Sequence, residues 1–598
     1  MQGQKKSLLT KFLVWRLKHI PHKQFVSILS AIIGLLAGLG AVLLKNITHL
    51  IQQLLEGEFI KEIHQSFYFI FPIIGLLLVL LTIKYIIKKR VGHGIPSTLY
   101  AISKLKGIMP RHQMWASLIT APLTVGFGGS VGLEGPTVAT GAALGSNFSR
   151  LFHLNQTTRT LLIGAAAAGA MSSIFKAPIA AIVFAVEIFS LELTIASMIP
   201  LLIASITAVL TSYFFLGDDV LFHFQLQDKF GLNDVIFYII LGITSAFTSI
   251  YFSKIYFAVS DFFKKFANPY KRLLIGGVLL GVLVYLIPPL FGEGYETINN
   301  ILHGNIREVT TNNIFNSVSD NIWVITSLLV GLVTFKVIAM SFTFGAGGVG
   351  GVFAPTLFTG SISGYIVATI INYSNVFNHH LSATNFAMVG MAGLMAGVLH
   401  APLTAIFLIA EITGGYELFI PLMIVSSISF AITKSFIPHN IYASELAKRG
   451  ELITHNKDHA VLTLMDLKKV VETNFIEVYP EMKLKKLVKD AVVKSKRNIF
   501  PVVNKETKAL EGIILLDDLR PIMFNRSLYK KVIARELMHN PPEIIYLNED
   551  KMTDVMKKFQ DTGAWNLPVV KDNRYVGFVS KSKLLTAYRR KLIDFSSK

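Results

Sequence analysis

Gly132-Leu133-Glu134-Gly135-Pro136-Thr137-Val138-Ala139-Thr140-Gly141 is answered 219 residues later by Gly351-Val352-Phe353-Ala354-Pro355-Thr356-Leu357-Phe358-Thr359-Gly360. A second doubling is spaced at 224 residues. Lys176-Ala177-Pro178-Ile179-Ala180-Ala181-Ile182-Val183-Phe184-Ala185-Val186-Glu187-Ile188 lines up with His400-Ala401-Pro402-Leu403-Thr404-Ala405-Ile406-Phe407-Leu408-Ile409-Ala410-Glu411-Ile412. In each stretch a proline stands at or just inside a helix start, where its missing N–H removes a donor that would have had no intrahelical partner. Much of the chain is therefore two related halves, each broken by Gly and Pro at matching places. Paired breaks of this kind point to a transport site.

Composition agrees with a membrane setting. The chain is 52% hydrophobic and only 16% charged, with a mean hydropathy of +0.53. Uncharged runs such as Phe25 to Leu44, Ser66 to Ile83 and Leu193 to Gly217 approach the length that spans a bilayer as a helix. From Val337 to Ala410 there is no Asp, Glu, Lys or Arg, yet Gly and Pro cut this stretch into pieces. Such backbone survives at membrane depth only where protein or a water-filled cavity satisfies it.

The basic residues Lys5, Lys6, Lys11, Arg16, Lys18 and Lys23 precede the first run, and Lys84, Lys88, Lys89 and Arg90 follow the second. Basic flanks predict a cytoplasmic N-terminal segment over 1–24 and a return to the cytoplasm after Arg90. The net charge of +20 is what such edges accumulate, so it does not argue for nucleic acid. The first apolar run is too long for a cleavable signal. With no Cys, disulfides and thiolate metal sites are excluded. His379-His380 has no acidic or thiolate companion nearby, so no metal site and no enzyme are expected.

Beyond about residue 450 the charges return. Ile499-Phe500-Pro501-Val502-Val503 is repeated by Asn566-Leu567-Pro568-Val569-Val570 at an offset of 67, and each is followed by a second strand, at Gly512-Ile513-Ile514-Leu515 and Gly577-Phe578-Val579-Ser580. The pattern resembles a tandem pair of CBS modules over 462–591, after a linker at 451–461. That resemblance implies an adenine-nucleotide site built from a hydroxyl after the second strand and an acid three residues later. Here the first half has Leu515 and Asp518, the second Ser580 and Lys583. Neither half keeps both groups, so a structural, dimer-supporting role is expected ahead of nucleotide binding at Asp518 or Ser580, and no other cofactor is expected.

A helix opening after Gly or Pro presents free N–H groups and the positive end of its dipole. Starts at Gly94-Ile95-Pro96, Gly135-Pro136 and Ala354-Pro355, converging near the bilayer centre, would make an anion site without a full basic charge. A cation carrier would need intramembrane carboxylates, which are few. Gly92-His93-Gly94-Ile95-Pro96, Gly132-Leu133-Glu134-Gly135-Pro136, Gly351-Val352-Phe353-Ala354-Pro355 and the late Tyr442 occur in the order of the CLC chloride channels and proton-coupled chloride transporters, a resemblance covering residues 25–450. It implies a polytopic helical homodimer of two inverted-topology repeats, carrying chloride and related small anions across the cell membrane, with the N-terminus and the CBS pair in the cytoplasm. It implies Glu134 as the gate, since a tethered carboxylate competes with chloride for helix starts, and His93, Gly94, Ile95, Gly135, Val352, Phe353 and Tyr442 as the anion site.

Two residues depart from the family pattern. His93 stands where a serine is common; an imidazole there either donates to the ion or points into the cytoplasmic vestibule. Ile188 stands where proton-coupled members carry an inner glutamate. Glu187, one place earlier, is repeated by Glu411 and is read as closing the repeat. The expectation is a channel-like or weakly coupled chloride path, with a proton/chloride antiporter as the alternative. Because backbone dipoles and neutral groups make this site, liposomes holding the protein should pass chloride and bromide but not potassium or sodium; potassium flux without halide flux would overturn the anion reading.

Overall fold

The computed structural model describes residues 8–55, 67–89, 91–92, 94–192, 194–217, 222, 230–306, 309, 321–374, 380–413, 416–448, 462 and 465–596. The chain divides into two compact units, 1–451 and 452–598. His93, His379, and the expected linker at 451–461 lie outside the described residues.

The first unit is helical throughout. Its helices are α1 (Leu8–His19), α2 (His22–Leu55), α3 (Phe67–Leu81), α4 (Ile95–Lys104), α5 (Ala116–Gly126), α6 (Glu134–Leu151), α7 (Gln156–Phe175), α8 (Pro178–Phe189), α9 (Ile195–Leu216), α10 (Val235–Lys264), α11 (Pro269–Leu286), α12 (Tyr295–Leu302), α13 (Ile322–Gly345), α14 (Phe353–Ser374), α15 (Ala383–Leu399), α16 (Pro402–Ile412), α17 (Phe419–Phe436) and α18 (Ser444–Lys448). Among the described residues, nine helical spans are long and apolar enough to cross a membrane, and four more are apolar but shorter. The short ones are α5, α8, α15 and α16, and a proline opens both α8 and α16. Within the basic segment 1–24, residues Leu8–His19 form a helix. Arg16 lies over the Phe25 ring at 3.9 Å and Phe12 packs 6.1 Å from Phe152, so apolar contacts hold this basic helix against its neighbours.

The two halves meet through reciprocal contacts. Gly132 and Gly351 form an antiparallel bridge, N–H to carbonyl at 2.9 and 2.7 Å. Ser130 N–H donates to Thr343 Oγ1 at 3.1 Å while Val349 N–H donates to Thr124 Oγ1 at 3.0 Å. Further along, Glu187 accepts from Leu403 N, Thr404 N and Thr404 Oγ1, at 3.1, 2.8 and 2.5 Å, and Glu411 accepts from Ile179 N and Ala180 N, at 3.1 and 2.8 Å. Each half's glutamate thus caps the other half's proline-led helix, the role its repetition suggested. When equivalent residues exchange contacts in this way, they are related by a local two-fold axis, as in an isologous interface.

Small residues allow the flanking helices to touch. Gly141 and Gly145 of α6 lie against α7, and Gly360 and Gly364 of α14 lie against α15 at the same offset of 219. A Cβ on Gly141 would stand 2.5 Å from the Ala166 carbonyl, and one on Gly360 would stand 2.6 Å from that of Gly390. This is the small-x3-small spacing of close helix pairs in membranes.

The second unit holds two hairpins. β1 (Ile499–Val503) pairs antiparallel with β2 (Leu510–Leu515), and β3 (Ile545–Tyr546), β4 (Asn566–Lys571) and β5 (Arg574–Ser580) form a second sheet. Register shifts fall between Val502 and Val503 and again between Val569 and Val570, so the bulge repeats with the sequence. α19 (Met552–Thr562) and α20 (Lys581–Ser596) cover the second sheet. Phe500, Val502 and Ile514 belong to one core, Leu567, Val569 and Val579 to another.

Gly360→Val should lower stability by about 1–3 kcal/mol, because the added side chain meets backbone that cannot give way. Thermal unfolding in detergent checks this, and a Glu187→Ala variant, which strips the cap from α16, should fall with it.

Candidate functional site

Three helix starts come together around the Gly132–Gly351 bridge. Gly94 opens α4 with φ 65°, a left-handed conformation open to glycine without cost, and a Cβ there would stand 3.0 Å from the Gly135 carbonyl oxygen. On its other side Gly135 faces the start of α14: a Cβ on Gly351 would stand 2.7 Å from the Gly135 nitrogen. Gly94, Ile95, Gly135, Val352 and Phe353 are thereby gathered at one place. Helix N-termini so arranged present N–H donors and positive dipole ends to a single point.

Glu134 is the first residue of α6 and is buried. Tyr295 donates a hydrogen bond to its Oε1. Its Oε2 lies over Gly132 and Gly351, where any Cβ on Gly132 would collide with it, and the backbone amides of Glu134 and Ala354 act on the carboxylate. A carboxyl group is therefore held at the meeting of two helix starts.

Tyr442 precedes α18, is buried, and has a hydroxyl without a hydrogen-bond partner among the described residues. It lies within electrostatic reach of Glu134. A buried hydroxyl left unpaired costs on the order of 1–3 kcal/mol. Phe353 contributes packing through its ring, 5.9 Å from that of Phe175 and 5.6 Å from that of Phe184. Ile188 is buried on α8, next to Phe189, which itself packs on Phe184. The surroundings of Phe353 on this side are aromatic and apolar.

Three residues of this site escaped the sequence reading. Half-buried Glu293 accepts from Leu133 N at 3.1 Å, half-buried Tyr295 opens α12, and Lys336 of α13 is fully buried, donating to the Gly292 carbonyl at 2.9 Å and lying 4.7 Å from the centre of the Phe358 ring. Lys336 and Lys45 act electrostatically on Glu293. Signals were present. Gly292-Glu293-Gly294-Tyr295 repeats Gly92-His93-Gly94-Ile95 at an offset of 200, and Lys336 is an isolated charge in an apolar span, one residue before the uncharged stretch begins.

In the second unit, Asp518 accepts from Leu515 N at 2.9 Å and pairs with His539 at 3.1 Å. Ser580 donates to Glu472 at 2.8 Å and accepts from Lys583 N at 3.2 Å. Both side chains are engaged within their own unit.

The sequence profile of a family described as voltage gated chloride channel matches residues 74–434, and that of the CBS domain matches residues 534–590. A putative chloride channel protein ClcB-like from Ralstonia nicotianae is 28% identical over 64% of this chain and 85% of that protein. The H(+)/Cl(-) exchange transporter ClcA of Vibrio cholerae is 28% identical over 67% and 84%. Among solved structures, a slow cyanobacterial Cl-/H+ antiporter superposes with a TM-score of 0.60 at 23% identity, covering 71% of this chain and 97% of that one. A eukaryotic CLC transporter gives 0.60 at 16%, covering 96% and 99%. The latter likeness extends the shared fold over nearly the whole chain.

Because the Tyr442 hydroxyl is unpaired, Tyr442→Phe should leave unfolding in halide-free detergent unchanged or raise stability by up to about 1 kcal/mol. A loss of stability would mean that the hydroxyl has a protein partner.

Proposed function

This chain belongs to the voltage gated chloride channel family, and on that premise we propose that it carries chloride and related small anions across a membrane through a path gated by Glu134. The observation that carries the reading is the buried Glu134 carboxylate at the junction of the α6 and α14 starts, beside the unpaired Tyr442 hydroxyl. Backbone donors of α4, α6 and α14, at Gly94, Ile95, Gly135, Val352 and Phe353, bind the anion by dipole and hydrogen bond, weakly enough for it to leave. His93 belongs to this anion site by its place in the glycine motif. When ionised, Glu134 occupies the place of the anion; when protonated, it gives that place up. Chemistry favours this order, since a low-dielectric site disfavours two anions side by side.

The path is channel-like or weakly proton-coupled. A proton crossing with fixed stoichiometry needs groups that hold it on both sides of the site. Ile188 cannot, and the Phe175–Phe184–Phe353 packing beside it offers no replacement. Glu187 is engaged by Thr404 and Leu403 instead. A second reading, the proton/chloride antiporter, is favoured by the names of similar proteins, among them the exchange transporter ClcA. In either case the protein is an integral membrane homodimer with its N-terminus and a tandem CBS module, residues 462–591, in the cytoplasm. That module supports the dimer, since Asp518 and Ser580 serve contacts of their own unit.

Simultaneous recording of chloride and proton flux from liposomes tests both readings. A chloride gradient should drive little or no uphill proton movement. Proton pumping with a reversal potential between those of chloride and protons would establish the antiporter instead. Glu134→Gln should conduct at neutral pH and lose most of its acid activation, while Ile188→Glu should raise coupling. A Glu134→Gln variant with the parent's pH dependence would remove Glu134 from the gate.

A further inference from the structure

The first half opens α4 with Gly92-His93-Gly94-Ile95, and the second opens α12 with Gly292-Glu293-Gly294-Tyr295. Gly94 and Gly294 share a positive φ, 65° and 87°. These two related starts reach the same three residues from different sides. Gly94 stands against the Gly135 carbonyl, whereas Glu293 accepts from Leu133 N at 3.1 Å and Tyr295 donates to Glu134. Leu133-Glu134-Gly135 is bracketed between them. The α4 start thus faces the proposed ion, and the α12 start faces a carboxylate.

We infer that the α12 start is a docking site for the gate, in which Tyr295 holds the ionised Glu134 carboxylate and sets the pH at which it lets go. The inference rests on the reading of Glu134 as the gate. The turn that carries Tyr295 is fixed just ahead of it, at Gly292 and Glu293. Lys336 donates to the Gly292 carbonyl at 2.9 Å and is pinned over Phe358, and Glu293 is tied to the Leu133 amide. Phe222 packs on the Tyr295 ring, with centroids 5.7 Å apart. The charged and titratable groups around Glu134 are Tyr295 and Glu293 from this turn, Tyr442 before α18, and, acting on Glu293, Lys336 from α13 and Lys45 from α2. Both lysines balance Glu293, so the ionised Glu134 rests on the backbone amides of Glu134 and Ala354 and, among side chains, on the hydroxyl of Tyr295. A phenol donates far more strongly to a carboxylate than to a neutral acid. Protonation therefore weakens the hold and frees the side chain. Tyr295 is a positioning residue: it acts on the anion path through Glu134.

The test measures chloride efflux from liposomes against pH. Tyr295→Phe removes only the hydroxyl and should move the midpoint of acid activation upward by about one pH unit, the loss expected for one hydrogen bond to a charged group. Replacing Tyr295 with 3-fluorotyrosine, a more acidic donor of nearly the same size, should move it downward, which keeps the test decisive if the Phe variant folds poorly. In the Glu134→Gln background Tyr295→Phe should change nothing further. Midpoints unmoved by both substitutions, with Glu134→Gln pH-independent, would overturn the docking site and leave the gate intact. Parent-like pH dependence in Glu134→Gln itself would overturn both.

Discussion

Free N–H groups at helix starts govern this structure. At membrane depth no water is at hand to satisfy them, and each one left alone costs several kcal/mol, on the order of a full hydrogen bond. The first unit answers this by letting each half complete the other. Glu187 caps α16, Glu411 caps α8, and Thr124 and Thr343 exchange contacts with the turns that lead into α14 and α6. The starts around Gly94, Gly135 and Gly351 come together at the meeting of the halves. Glycine at these points is required by the close approach of backbone to backbone.

A symmetric frame carries asymmetric chemistry. Glu134 has Phe353 as its mate, His93 has Glu293, and Ile95 has Tyr295. Backbone donors follow the local two-fold, so they favour an anion alike from both halves. Side chains that break the two-fold give the path a direction: on one side a carboxylate with its phenol and a buried lysine, on the other an aromatic and aliphatic packing around Phe353 and Ile188.

The doubling was legible because Gly and Pro have few substitutes where a helix must start and backbones must touch. The same reasoning identified Glu187 and Glu411 as a structural pair. The repeated Pro-Val-Val strings announced the two hairpins, whose bulges recur in register. What stayed hidden depended on contacts between distant segments. Glu293 and Tyr295 lie in a short motif whose offset, 200, differs from the 219 of the main repeat, because the connections between elements differ in length. Lys336 looked like the edge of an uncharged run, although a lone cation in a span signals a buried partner. Helix α1 was hidden by its charge, since its apolar contacts, Phe12 on Phe152 and Arg16 over Phe25, involve residues far from one another or a cation stacked on a ring.

The exchange of caps between halves has a consequence for biogenesis. Glu187 must wait for Thr404, and Ala180 for Glu411, more than two hundred residues further along the chain. At a synthesis rate of 5–20 residues per second this delay is roughly 10–45 s. Throughout that interval the Ile179 and Ala180 amides lack the Glu411 carboxylate that caps α8 in the folded chain. A chain terminated between the halves would leave polar backbone facing lipid or chaperone, so quality control can recognise an incomplete protein by the helix ends it still exposes.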